Sequence, residues 1–395
     1  MTPIQARSAS PEVRTALYYL VMYLPAGAAT LLLPIWLDSR GMSPEQIGLI
    51  NAMPLMIMVV ISLFVGRVAD AAPDWRGVIV IGTIASGLAS VGFFIAGEFW
   101  GFLIVWTLVM VPFFASEPVT DAAAIRMTRR RGSDFSRLRV WGTVGFIVGS
   151  VLSGLAFDWL GIAVFVPLFV AACVMRGLVS LQLPLFRAAS TEVLLAGEVL
   201  NSEAASTMRQ ILKPWFVLTL AGAALLQASH FLLIGFGALM WRSAGVSPSV
   251  IGVLWAIAPI CEIAIMLFFA RLARRFSARH LLALACFVGA FRWVGMGLSQ
   301  DAWWLAAMQM LHMATFGLGY LGTVNFIANW TTEEIAAQAQ SFFVVLRQAA
   351  TVGALLLFGP LVAHLGLASF YVAAAIAALG GALILISLSI VRSKR

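Results

Sequence analysis

Charge is what this 395-residue chain has least of: Asp, Glu, Lys and Arg make up 11% of it, while 62% is hydrophobic. A soluble globular domain carries about a quarter charged residues, so a soluble fold is excluded and about half the chain must face lipid. Cysteine is scarce too. Cys173, Cys261 and Cys286 each lie inside an apolar run and outside any pairing motif, which argues against a disulfide framework or zinc site and leaves core packing. The sequence has no paired metal ligands, nucleophile elbow or phosphate-binding loop. The expectation is therefore no enzyme, no cofactor and no pump driven directly by ATP.

What the chain has in quantity is apolar runs of about 20 residues, the length needed to cross the hydrocarbon core as helix. Twelve spans are expected: Thr15–Leu37, Pro44–Val65, Gly77–Ala96, Gly101–Ile125, Leu138–Leu160, Ile162–Pro184, Pro214–Trp241, Ser247–Ala270, Leu281–Leu298, Ala302–Trp330, Ser341–His364 and Ala368–Val391. The first run is not read as a cleavable signal, because eleven more follow and no small-residue cleavage site precedes the next.

The formal charge of +8 has a topological reading. Arg129, Arg130, Arg131, Arg271, Arg274, Arg275, Arg392, Lys394 and Arg395 all fall on one side of the spans. Only Arg40 and Arg242 occupy the loops after spans 1 and 7. The positive-inside rule then places both termini in the cytoplasm, and no nucleic-acid partner is implied.

Residues 185–212 form the single long polar connection, dividing an N-terminal half (1–184) from a C-terminal half (213–395). An internal repeat agrees with that division. "GMSPEQIG" at Gly41–Gly48 recurs as "GVSPSVIG" at Gly245–Gly252, and "RVWGTVG" at Arg139–Gly145 recurs as "RQAATVG" at Arg347–Gly353. Offsets that agree within a loop length make the halves parallel repeats of six spans.

"GRVAD" at Gly66–Asp70 resembles the cytoplasmic signature loop of the major facilitator superfamily, keeping Gly66, Arg67 and Asp70. A more specific set resembles the phenylpropionate permease family, relatives of the lactose permease and the nucleoside–proton symporters. It comprises "DAAA" at Asp121, "FSRLRVWGTVGFIVGS" at Phe135–Ser150, "LLQASHFLLIGF" at Leu225–Phe236, "SAGVSPSVIGVLWAIAPICEI" ending at Ile263, "RRFSARHLL" at Arg274–Leu282, "GAFRWVGMG" at Gly289–Gly297 and "QMLHMATF" at Gln309–Phe316. The resemblance implies an all-α membrane protein of the major facilitator fold, with substrate held near mid-membrane between two six-helix halves.

Ionisable groups within the apolar runs are the candidate site, since each is expensive there unless it faces a partner or a cavity. Glu262 lies deep in span 8. Loss of water favours its neutral form and a nearby guanidinium favours the anion, so a carboxylate balanced between the two can carry a proton. Arg292 on span 9 is the expected partner, a fixed cation that Glu262 or an anionic substrate can visit, and His312 on span 10 adds a titratable group at similar depth. Acid, arginine and histidine on spans 8, 9 and 10 resemble the lactose permease's coupling set. The further carboxylate of that permease is replaced here by Thr315, which leaves Glu262 as main carrier. Gln227 and His230 share a face of span 7 and are expected to contact substrate.

In the N-terminal half Glu117 and Asp121 are four apart on span 4, and Arg139 opens span 5. That pairing resembles the lactose permease's sugar clamp, and either a ligand site or a gate fits. Tyr19, Tyr23 and Asn51 are further candidates for the cavity. Asp70, Arg347, Asn325 and Asn329 are candidates for the cytoplasmic gate. Gly142, Gly145, Gly149 and Gly154 give span 5 the spacing for close helix approach.

The expected function is a monomeric, proton-coupled symporter of the bacterial inner membrane. It would import a small organic anion or polar aromatic solute, with organic acids, aromatics, nucleosides and sugars as substrate classes and protons and lipid as its other partners. A proton-linked exporter and a non-transporting membrane sensor are the alternatives.

Overall fold

The structure is a computed structural model that describes residues 10–186, 212–331 and 333–391. The expected linker, 185–212, lies almost wholly outside the described residues. Among them every regular element is helical. The first six long helices are α1 (Pro11–Ser39), α2 (Pro44–Ala71), α3 (Trp75–Ser90), α4 (Phe99–Arg131), α5 (Phe135–Leu160) and α6 (Phe165–Ser180). Then follow α7 (Pro214–Ser243), α8 (Pro248–Arg275), α9 (Ala278–Leu298), α10 (Ala302–Met310), α11 (Leu318–Trp330), α12 (Glu333–Leu365) and α13 (Ser369–Ile390).

Ten stretches among the described residues are long and apolar enough to cross a membrane. One of them, Gln338–Ile390, runs through α12 and α13 and so covers two expected spans. The expected span Ala302–Trp330 is not among the ten, because its helix is interrupted. α10 stops at Met310, and a π turn at Met313–Gly317 precedes α11. A second π turn, Leu233–Gly237, lies inside α7. Single π turns within helices concentrate at functional positions.

The sequence repeat is a repeat of local structure. Gly41 and Gly245 both adopt the left-handed region, with φ of 81° and 91°, which glycine enters without a Cβ clash. Each ends the preceding helix in the same way. The Met42 N–H donates to Leu37 O at 3.0 Å, and the Val246 N–H donates to Trp241 O at 3.0 Å, the 6→1 bond of a Schellman cap. Ser43 and Ser247 then stand immediately before Pro44 and Pro248, which open α2 and α8 with φ preset for helix. Ser43 adds a capping box: its N–H donates to Gln46 Oε1 at 2.9 Å. Asp134 caps α5 by accepting from the Ser136 hydroxyl at 2.7 Å and the Ser136 N–H at 2.9 Å. Those two bonds hold its carboxyl below the usual carboxylate range.

The helices group into two compact units. One is drawn from Met1–Ala29 and Met56–Thr191, the other from Thr30–Leu55 and Glu192–Arg395, so α1 and α2 contribute to both. In the first unit α3 packs along α4 and α6, over a core that includes Tyr18, Met22, Ile79, Ala123 and Ala124. α1 and α5 meet backbone to backbone: a Cβ on Gly145 would lie 2.0 Å from Leu20 O, and one on Gly149 2.3 Å from Leu24 O. Only glycine permits that approach, which is the expected use of the α5 glycine stripe. In the second unit α13 lies along α7 and α9, α12 along α7, and α8 along the α10–α11 break. Arg279 fastens that bundle, donating to Ser387 O at 2.8 Å and Val391 O at 2.6 Å and so satisfying carbonyls at the C-terminal end of α13.

Candidate functional site

Each unit contains a cluster of ionisable side chains. In the first, Tyr19 and Tyr23 on α1 face Glu117 and Asp121 on α4 and Arg139 on α5. The Tyr19 hydroxyl donates to Asp121 Oδ1 at 2.6 Å, and the Tyr23 hydroxyl donates to Glu117 Oε1. Arg139 Nη2 donates to Tyr23 Oη at 2.8 Å, and its guanidinium lies over the rings of Tyr23 and Tyr19, 4.7 and 5.7 Å from the centroids. Its two carboxylate contacts are long, 3.7 Å to Asp121 and 4.0 Å to Glu117. Spacing explains the assembly: Tyr19 and Tyr23 are four apart, as are Glu117 and Asp121, so two helix faces align rung by rung. Gly142 gives Arg139 room, since a Cβ there would lie 2.8 Å from both Nη1 of that residue and the Tyr23 ring.

In the second unit the centre is Arg292 on α9, fully buried. Nε donates to Met308 O at 2.8 Å, Nη2 to Gln309 Oε1, and Nη1 to His312 Nδ1 at 3.1 Å and Thr315 Oγ1 at 3.3 Å. The indole of Trp293 lies 4.6 Å from the guanidinium carbon. On its other edge the His312 ring meets Glu262 of α8, with Nε2 and Oε1 2.7 Å apart. The expected direct pair of Glu262 and Arg292 is thus replaced by a chain, Glu262–His312–Arg292. The reason is depth and reach: His312 sits at the α10–α11 break, where its ring enters between α8 and α9.

This chain fixes the proton positions. Arginine is a donor only, so His312 Nδ1 must accept; the ring is therefore neutral and carries its hydrogen on Nε2, which donates to Glu262. His230 is set the opposite way. Its Nδ1 lies 2.8 Å from Leu226 O, which can only accept, so Nδ1 carries the hydrogen. Its Nε2, 3.0 Å from Thr315 Oγ1, accepts from that hydroxyl. Two histidine rings 5.4 Å apart thus hold opposite tautomers around one fixed cation.

The other expected residues divide. Gln227 is buried on α7. Asn51 Nδ2 donates to Ile47 O at 3.0 Å within α2. Asn329 donates to Asn325 at 2.8 Å within α11, at an exposed position. Arg347 lies in the middle of α12 and is partly buried. Asp70 lies in α2, and its side chain is outside those described. Sequence reasoning assigned no role to Gln309, whose carbonyl takes Arg292 and whose amide donates to Leu254 O at 2.9 Å. It also passed over Arg176 on α6. That residue is 3% exposed, donates to Ser86 Oγ at 2.5 Å and lies 5.0 Å from the Phe113 ring centroid, behind the edge of Tyr23. Its signal was one charge inside an otherwise apolar run.

Helical units with ionisable groups built into their membrane-depth interiors have the construction of a secondary transporter. Residues 13–371 match the MFS_1 like family, and the chain belongs to that family. It is 29% identical over 381 residues to the "Probable 3-phenylpropionic acid transporter" of Escherichia coli (strain K12), covering 92% of this chain and 94% of that protein. It is 23% identical over 328 residues to the maltose permease of Geobacillus stearothermophilus, covering 83% and 81%. The solved structure of the nucleoside transporter NupG matches with a TM-score of 0.81 at 14% identity, covering 98% of this chain and 100% of that one. The protein is a multi-pass secondary transporter of the major facilitator type, and its relatives are transporters rather than enzymes.

Proposed function

We propose that the protein is a proton-coupled symporter importing an aromatic carboxylate or a similar small aromatic anion by alternating access, in a bacterial inner membrane. The twelve-span arrangement in two parallel halves, 1–184 and 213–395, with cytoplasmic termini and a monomeric state, belongs to the same proposal. The carrying observation is the chain Glu262–His312–Arg292, which ends on a fully buried arginine. When Glu262 is ionised it accepts from His312 Nε2–H, and its charge offsets Arg292 through the imidazole. A proton arriving on Glu262 removes that offset and leaves Arg292 a cation held only by neutral acceptors. The unit then has the most to gain from an anion. Loss of the proton restores the carboxylate and lowers the attraction for substrate, which releases it.

The first cluster has a loosely paired cation of its own. The Arg139 carboxylate contacts of 3.7 and 4.0 Å are well beyond the 2.7–2.9 Å of a strong charge-assisted bond, so a substrate carboxylate can displace them. Tyr23, the partly exposed ring of the cluster, offers an edge for the aromatic part, with Tyr19 and Phe113 packed in the core behind it. The 29% identical relative, named as a probable 3-phenylpropionic acid transporter, supports the same chemistry. A hydroxyl-rich neutral solute is the second reading, favoured by the two carboxylates Glu117 and Asp121 as acceptors. The Gln227 amide, both donor and acceptor, suits either substrate.

In proteoliposomes given 3-phenylpropionate, uridine and maltose as separate probes, 3-phenylpropionate should accumulate under an inward proton gradient. Glu262→Gln should abolish that accumulation and leave counterflow intact. Accumulation by the variant would overturn the proton-coupling assignment. Uridine or maltose in place of 3-phenylpropionate would shift the substrate to the second reading.

A further inference from the structure

Glu262 and His312 come from different elements, so their 2.7 Å contact depends on how closely α8 approaches the α10–α11 break. Gly317 ends the π turn in that break. A Cβ built on Gly317 would lie 2.6 Å from Ile265 Cγ2 and 3.7 Å from Glu262 Cγ. Carbon atoms pack at about 3.5–4.0 Å, so the first distance forces a displacement of about an ångström. The contacted atom sits on a β-branched side chain in a helix, where one χ1 rotamer dominates and the methyl cannot swing aside. Ile265 is three residues beyond Glu262 and shares its face of α8, so pushing one carries the other. α9 closes the opposite side through Arg292, which already holds Met308, Gln309, His312 and Thr315 of the α10–α11 segment. The break therefore has no slack with which to follow α8.

We propose that Gly317 is a positioning residue: the absence of a side chain there sets the separation of the Glu262–His312 pair and thereby the proton exchange of the transporter. This rests on the coupling role given to Glu262. The charged and titratable groups facing the pair are Arg292 from α9 and, through Thr315, His230 from α7.

The test uses full-length protein, wild type and the variants Glu262→Gln, Gly317→Ala, Ile265→Ala and Gly317→Ala/Ile265→Ala. The first readout needs no substrate: the carboxyl infrared band that disappears in Glu262→Gln is titrated against pH. Gly317→Ala should move its midpoint by about one pH unit, a tenfold change in proton affinity. The double variant, which removes the contacted methyl, should return it to the wild-type value. In proteoliposomes with 3-phenylpropionate, Gly317→Ala should lower proton-driven accumulation about tenfold with counterflow retained, and the double variant should recover it. An unmoved midpoint in Gly317→Ala overturns the proposal, as does a double variant that stays shifted or fails to fold. If Gly317→Ala alone does not fold, a folded double variant with the wild-type midpoint still supports it. Accumulation by Glu262→Gln would instead remove the coupling reading, which separates that failure from this one.

Discussion

The two clusters use overlapping residue types in different surroundings. In the first unit the Arg139, Glu117 and Asp121 side chains keep about a third of their surface, at 34%, 32% and 34%. In the second Arg292 is fully buried, and the Glu262 and His312 side chains retain 22% and 14%. Exposure decides what each arginine can do. Arg139 makes one short bond, to a tyrosine hydroxyl, and stands off from two acids, so its guanidinium is exchangeable. Arg292 is held by a backbone carbonyl, an amide, an imidazole and a hydroxyl, and among the described residues its charge compensation, Glu262, lies one ring away. A cation fixed in a dry site amplifies the effect of a single proton on its neighbour, because the surroundings screen less. Under the proposed function, the first cluster grips the ligand and the second responds to the proton.

Arginine-to-lysine substitutions in the two clusters separate these roles, and the larger effect belongs to the buried one. Lysine keeps the charge but loses the planar fork. Arg292→Lys leaves several of the four acceptors unmatched in a buried site. A loss of about 3 kcal/mol in stability is expected, read as a lowered melting temperature in detergent, together with loss of proton-driven accumulation. A variant that melts and accumulates like wild type would erase the contrast. Arg139→Lys should leave stability nearly unchanged and weaken substrate binding about tenfold, or about 1.4 kcal/mol. The pH profile of uptake should be unaffected. A changed pH profile would mean that the first cluster also handles the proton. Tyr23→Phe is the smallest change. It removes the hydroxyl between Glu117 and Arg139 and should weaken binding by about 1 kcal/mol, roughly fivefold, measured by isothermal titration with 3-phenylpropionate.

Much of the fold was readable in the sequence because lipid imposes a simple rule. Runs of apolar residues must be helices, and each ionisable residue within one requires a reason. Glu262, Arg292, His312, His230, Glu117, Asp121 and Arg139 were all found that way. The Ser-Pro repeat at Gly41 and Gly245 was legible for a similar reason, since turn and cap chemistry is local. What hydropathy could not give was pairing. Whether Glu262 meets Arg292 or His312 depends on helix rotation to within a fraction of a turn. A π turn at Met313–Gly317 alters that rotation without leaving a mark in composition. The tyrosines that hold Asp121 and Glu117 were placed near the cavity, but nothing along the chain named their partners, more than ninety residues away. Arg176 went unremarked because one arginine among apolar residues near the end of a span is indistinguishable from one that reaches the interface. Gln309 stood in a quoted motif and still gained its role only from three-dimensional contact with Arg292.

Nitrogen-15 NMR of the histidine rings tests the polarity of the Glu262–His312–Arg292 chain directly. The chain has four histidines, so substitution of each in turn assigns the signals. At neutral pH, His312 should be a neutral ring protonated on Nε2 and His230 a neutral ring protonated on Nδ1. In Glu262→Gln the Nε2–H signal of His312 should shift while the tautomer set by Arg292 persists. An imidazolium at position 312, or a neutral ring there protonated on Nδ1, would contradict the arrangement in which Arg292 donates to His312 and His312 donates to Glu262.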